Sequence, residues 1–125
     1  MRIVLTLFCL LLTSNAFAEL PSGNQLTIQA ALASGRPTLV DFGARSCIPC
    51  KKMAPILEQL EKEYKGRANV IFVDVWQDNK IGGQYRVQMI PTQIFFDAKG
   101  KEAGRHIGFM DRQPIIDTFT KLGVK

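Results

Sequence analysis

The chain has 125 residues, 46% of them hydrophobic, and a formal net charge of +5. That length suits one domain able to bury a core without disulfide stapling. The basic residues, among them Arg36, Lys51, Lys62, Lys80, Lys99 and Lys121, are spread along the chain. With no block of like charge and no aromatic–basic pattern, they describe a solvated surface and exclude a nucleic-acid-binding face.

The N-terminus reads as a targeting segment. Arg2 is a short basic region, Ile3 to Leu12 an apolar run, and Ala16-Phe17-Ala18 a small-x-small cleavage site. The run falls short of the roughly 20 residues needed to span a bilayer. Residues 1–18 are therefore expected to be a cleaved secretory signal, with an uncleaved anchor as the alternative, and 19–125 one soluble mature domain. Cys9 lies within the signal as an apolar filler.

Residues 19–26 are polar with Pro and Gly, an extended lead-in. Thr27 to Ser34 has helical composition, with Thr27 as N-cap, and Gly35-Arg36-Pro37 stops it. Thr38 to Phe42 is strand-like. Lys51 to Tyr64 reads as a helix whose apolar stripe is Met53, Leu57, Leu60 and Tyr64; Pro55 inside it should kink it. Val70 to Val75 is a β-branched run expected to be covered on both faces. Asp78 to Tyr85 is a short helix. Thr92 to Phe96 and Glu102 to Ile107 are strands joined by the turn Asp97-Ala98-Lys99-Gly100. Asp111 caps a last helix, Arg112 to Leu122, with Pro114 in its first turn and Ile115, Ile116 and Phe119 on one face. Helix-separated strands followed by a hairpin imply an α/β fold, a mixed sheet with helices on both faces.

Cys47-Ile48-Pro49-Cys50 carries the chemistry. Two thiols at this spacing close too small a loop to restrict the unfolded chain much, which argues against a structural staple and for redox chemistry. Cys47 sits where a strand hands over to a helix. Unpaired N–H groups and the helix dipole favour its thiolate there, so Cys47 is the expected nucleophile and Cys50, one turn on, the resolving thiol. Pro49 stiffens the turn. Asp41 interrupts an apolar strand. A buried carboxylate is costly, so it is expected to accept the proton of Cys50; a water-facing edge position is the alternative.

Val40-Asp41-Phe42, Cys47-Ile48-Pro49-Cys50-Lys51, Ala54-Pro55-Ile56-Leu57, Glu63-Tyr64 and the distant Ile90-Pro91-Thr92 together resemble the thioredoxin family, over about residues 25–123. The resemblance implies a thioredoxin fold, a cis Pro91 packed beside a Cys47–Cys50 disulfide, and Ile90 offering backbone groups to an extended substrate. Ile48 and Pro49 join Ile90 and Pro91 as expected substrate contacts. Three positions depart from the family. Ser46 stands where an aromatic usually precedes the first Cys, and Gly43 replaces another tryptophan. The segment Val70-Ile71-Phe72-Val73 lacks the family's buried lysine, which should alter the ionisation of Asp41. Arg45-Ser46 should make the rim more polar, while Trp76 and His106 are read as structural.

These readings lead to an exported, periplasmic thiol–disulfide oxidoreductase with no cofactor beyond its own disulfide. It is expected to be a monomer that reduces disulfides of cell-envelope proteins. The resemblance suggests a membrane thiol-electron transporter as donor. Pro49, where oxidising relatives often carry His, tilts the expectation towards reduction. A dithiol oxidase or isomerase of the same fold is the main alternative. A metal-binding CxxC module is a weaker one, for want of a second Cys pair or a His at ligand spacing; a chaperone with incidental thiols is another.

Overall fold

A computed structural model describes residues 19–125, so the expected signal lies outside the described residues. Its elements are α1 (Gln25–Leu32), β1 (Thr38–Gly43), α2 (Ile48–Glu63), β2 (Asn69–Asp74), α3 (Asn79–Gln84), β3 (Thr92–Phe96), β4 (Glu102–Ile107) and α4 (Arg112–Lys121). One sheet has the order β2-β1-β3-β4. β1 runs parallel to β2 and antiparallel to β3, which pairs antiparallel with β4.

Side chains alternate across a strand, and the core divides accordingly. Leu39, Phe72 and Phe95 face α2 and α4, packing with Met53, Leu57, Leu60, Ile115 and Phe119. Val40, Phe42, Val73, Ile94 and Phe96 face the other way, onto Ile28 of α1 and Ile81 of α3. Helices thus cover both faces of a mixed sheet, the expected thioredoxin fold. The hairpin turn needs Gly100: its φ is 78°, and a Cβ there would lie 2.8 Å from the Leu32 carbonyl oxygen.

Several local expectations change. Asn24, not Thr27, caps α1. Its side chain accepts from the Thr27 N–H while the Thr27 hydroxyl accepts from the Asn24 N–H, a capping box. α2 begins three residues early, because Cys47 itself is the N-cap and Pro49 occupies the first turn. It continues through the exposed Pro55. β2 is an edge strand, and Asn69 and Ile71 are only partly covered. The lead-in shields part of that edge: the Gly23 N–H donates to the Phe72 carbonyl at 2.7 Å, and Ser22 Oγ accepts from the Asp74 N–H at 2.9 Å.

Candidate active site

The topology gathers the site at one end of the sheet. β1 and β2 end there, β3 begins there and β4 ends there. The segments emerging at that end are Ala44 to Cys50, Val75-Trp76, Met89 to Pro91 and Gly108-Phe109.

Cys47 and Cys50 are joined by a disulfide with a Cα–Cα separation of 5.1 Å. Their surroundings differ. Cys47 is half-buried at the N-cap, between exposed Ser46 and exposed Ile48 and Pro49, whereas Cys50 is buried. The Cys47 carbonyl accepts from the Lys51 N–H at 2.9 Å, which sets Cys47 at the N-terminal end of α2, though its side chain makes no capping hydrogen bond. When the disulfide opens, that positive helix end stabilises a thiolate on Cys47. Cys50 lines a small cavity together with Leu20, Arg45, Leu57 and Phe72.

Cys50 packs closely over Gly43. A Cβ at Gly43 would stand 3.2 Å from both Cys50 Sγ and Phe72 Cε2, so Cys50 rests directly on the β1 backbone. A larger residue at position 43 would have to displace either the sulfur or the phenyl ring.

Ile90–Pro91 is a cis peptide, as the resemblance implied. Thr92 pairs with Phe42 in the antiparallel ladder. Pro91 immediately precedes that pair, at the same end of the sheet as Gly43 and the disulfide. Pro91 is buried and Ile90 half-buried. The Pro91 carbonyl accepts from the Gly108 N–H at 2.8 Å, and the Met89 carbonyl from the Thr92 hydroxyl at 2.6 Å. Ile90 precedes β3, outside the sheet ladder.

Asp41 is 0% exposed on a central strand, which removes the edge-position alternative. Its ladder partners are Phe72 on β2 and Gln93 on β3. Phe72 stands beside it where the resemblance led one to look for a lysine. Gln93, also 0% exposed, donates from Nε2 to Asp41 Oδ1 at 2.9 Å. Burial pushes the Asp41 carboxyl up to about 7, and the Gln93 hydrogen bond pulls it back the other way. Asp41 lies two residues before Gly43 on the same face of β1. That places it about 7 Å along the strand from where Cys50 rests.

The rim is more apolar than expected. Trp76, expected to pack, is 62% exposed, and Ile48 is 71% exposed; Met89 and Phe109 are exposed too. Arg45 contributes little free charge. Its guanidinium lies 4.5 Å over the Phe72 ring and donates to Glu19 Oε2 at 3.1 Å and to the Leu20 carbonyl at 2.6 Å. A cation with these partners turns towards the lead-in instead of the rim. His106 is exposed on β4, its Nε2 3.1 Å from the Phe109 carbonyl oxygen. Sequence reasoning missed Gln93 altogether. A lone amide among apolar strand residues was the available signal, but only the β1–β3 register shows what it meets.

Comparison with known proteins agrees with this geometry. The Thioredoxin family model matches residues 23–121. Thioredoxin from Rickettsia felis is 33% identical over 90 residues, covering 72% of this chain and 85% of that protein. Thioredoxin from Staphylococcus aureus is 36% identical over 83 residues, covering 66% and 79%. Among solved structures, a mutant thioredoxin from Halobacterium salinarum superposes with a TM-score of 0.72 at 25% identity, covering 81% of this chain and 87% of that one. Thioredoxin from Fasciola hepatica gives 0.61 at 36%, covering 70% and 81%. With its CxxC disulfide at a helix N-terminus and a cis proline at the same end of the sheet, the chain belongs to the thioredoxin family and is a thiol–disulfide oxidoreductase of that type.

Proposed function

We propose that this chain works as a reductant of protein disulfides, exported to the periplasm, and that cell-envelope proteins are its substrates. The observation that carries the reading is the asymmetry of the pair, a half-buried Cys47 at a helix N-cap bonded to a buried Cys50. In the reduced protein the Cys47 thiolate attacks one sulfur of a substrate disulfide. That S–S bond breaks, the other substrate sulfur leaves as a thiolate, and a mixed disulfide forms. Cys50 then loses its proton and attacks Cys47 Sγ, which releases the second substrate thiolate and closes Cys47–Cys50. Two electrons pass to the substrate.

Asp41 accepts the Cys50 proton. The spacing along β1 calls for one intervening water, within the reach of general-base catalysis. Ile48, Pro49, Ile90 and Pro91 form the surface on which an extended substrate segment lies. A membrane thiol-electron transporter re-reduces the disulfide, and the chain acts as a monomer without further cofactor. Pro49, in place of a histidine before the second thiol, supports the reducing direction.

Three measurements test this. Cys47→Ser should abolish turnover of a protein disulfide; unchanged turnover would refute Cys47 as nucleophile. Titration against glutathione should place the potential near about −270 mV, whereas a value near about −120 mV would make the protein an oxidant. N-terminal sequencing of the periplasmic fraction should begin at Glu19.

A further inference from the structure

Gln93 is a costly residue to keep where it is. It sits in the middle of β3 with Thr92, Ile94, Phe95 and Phe96, and is 0% exposed. A buried amide is tolerated when its hydrogen bonds are met. Here Nε2 is met by Asp41 Oδ1, while Gln93 Oε1 and Asp41 Oδ2 are buried without a partner. A carboxylate only accepts, so the amide must present its N–H to it. With Oδ1 occupied, Oδ2 is the oxygen left to take a proton.

The remaining surroundings of Asp41 do not supply a second donor. On β2 its ladder partner is Phe72, and the next acidic group on that face, Asp74, is taken up by the N–H groups of Arg45, Trp76 and Gln77. The Arg45 guanidinium lies over Phe72 and is engaged by Glu19 and Leu20. α2 contributes Cys50, which packs against Gly43 of β1, and the buried carboxylate Glu58, paired with Lys62 at 3.2 Å, while α4 contributes Ile115 and Phe119.

We propose that Gln93 is a positioning residue for thiol–disulfide exchange: it holds Asp41 by Oδ1, keeps Oδ2 free for the Cys50 proton, and sets the pH at which Asp41 can act as base. The inference rests on the reading of Asp41 as the proton acceptor. Its physical basis is that a donor to the ionised form favours that form. In this chain that donor is a neutral amide on the adjacent strand.

The test uses the full domain with ¹³C-labelled aspartate. The Asp41 carboxyl is titrated by NMR, and the rate of mixed-disulfide resolution is followed against pH. In Gln93→Leu the Asp41 midpoint should rise by about one unit. Resolution below the midpoint should slow about tenfold, because each unit lowers the ionised fraction tenfold there. In an Asp41→Asn background the same substitution should leave the pH profile unmoved. Gln93→Met, of similar length and without a donor, serves as a second variant should the first fail to fold. If Asp41→Asn changes the pH profile but neither Gln93 variant moves the Asp41 midpoint, the Gln93 proposal is overturned and the Asp41 reading stands. If Asp41→Asn leaves the profile unchanged, the Asp41 reading fails and the Gln93 role in exchange fails with it.

Discussion

Replacing Asp41 by Asn should stabilise the protein, and increasingly so as pH rises. The carboxyl titrates near its usual 3.8 in the unfolded chain and is pushed up to about 7 in the fold, chiefly by burial. Between those two values the folded state keeps a proton that the unfolded state has released. Stability therefore falls as pH rises through that interval and levels off above about 7. The carboxyl's contribution is fully present below 3.8 and lost by the time the folded-state value is passed. A shift of about three units, at 1.36 kcal/mol each, bounds the loss at about 4 kcal/mol. Asp41→Asn has no charge to bury. Its carbonyl still accepts from Gln93 Nε2. Urea unfolding of the oxidised variant and its parent, from about pH 5 to about pH 8.5, yields the difference at each pH and cancels the other carboxylates. The difference should grow with pH and approach several kcal/mol. A pH-independent difference, or a parent that gains on the variant towards high pH, would refute the reasoning.

Two further substitutions probe how the site is held. Gly43→Val forces heavy atoms against Cys50 Sγ and Phe72 Cε2, both already 3.2 Å from the place a first carbon would take. It should cost about 1–3 kcal/mol, as overpacking does, and a variant unfolding at the parent's urea midpoint would show that Cys50 does not rest on the strand. Arg45→Ala removes the contacts to Glu19, Leu20 and Phe72. The exposed ion pair is worth little by itself, so global stability should change by under about 1 kcal/mol. The Gly23 amide, bonded to the Phe72 carbonyl, should nevertheless exchange hydrogen several-fold faster; unchanged exchange there would show that the lead-in is held by its backbone alone.

The departures from the sequence reading have a common cause. Thr27 offers a hydroxyl suited to a cap, yet α1 begins at Gln25, and the Asn24 side chain caps it by accepting from the Thr27 N–H. Large aromatics usually bury, but Trp76 lies two residues beyond the end of the edge strand β2 and is exposed. Arg45 reads as a rim charge in the sequence, but the lead-in supplies it with a carboxylate and a carbonyl from 26 and 25 residues away.

What depends on neighbours in the chain was legible from the sequence alone. Helix and strand periodicity, the hairpin turn, the CxxC at a strand-to-helix junction and the anomaly of Asp41 in an apolar strand all follow from short-range chemistry. Only the tertiary structure sets Phe72 and Gln93 on either side of Asp41, rests Cys50 on Gly43 and brings Pro91 to the same end of the sheet. Those pairings join residues up to 52 positions apart through the order and register of strands. Register decides which buried polar group finds a partner, because it is settled by packing whole faces together rather than by any one residue's preference.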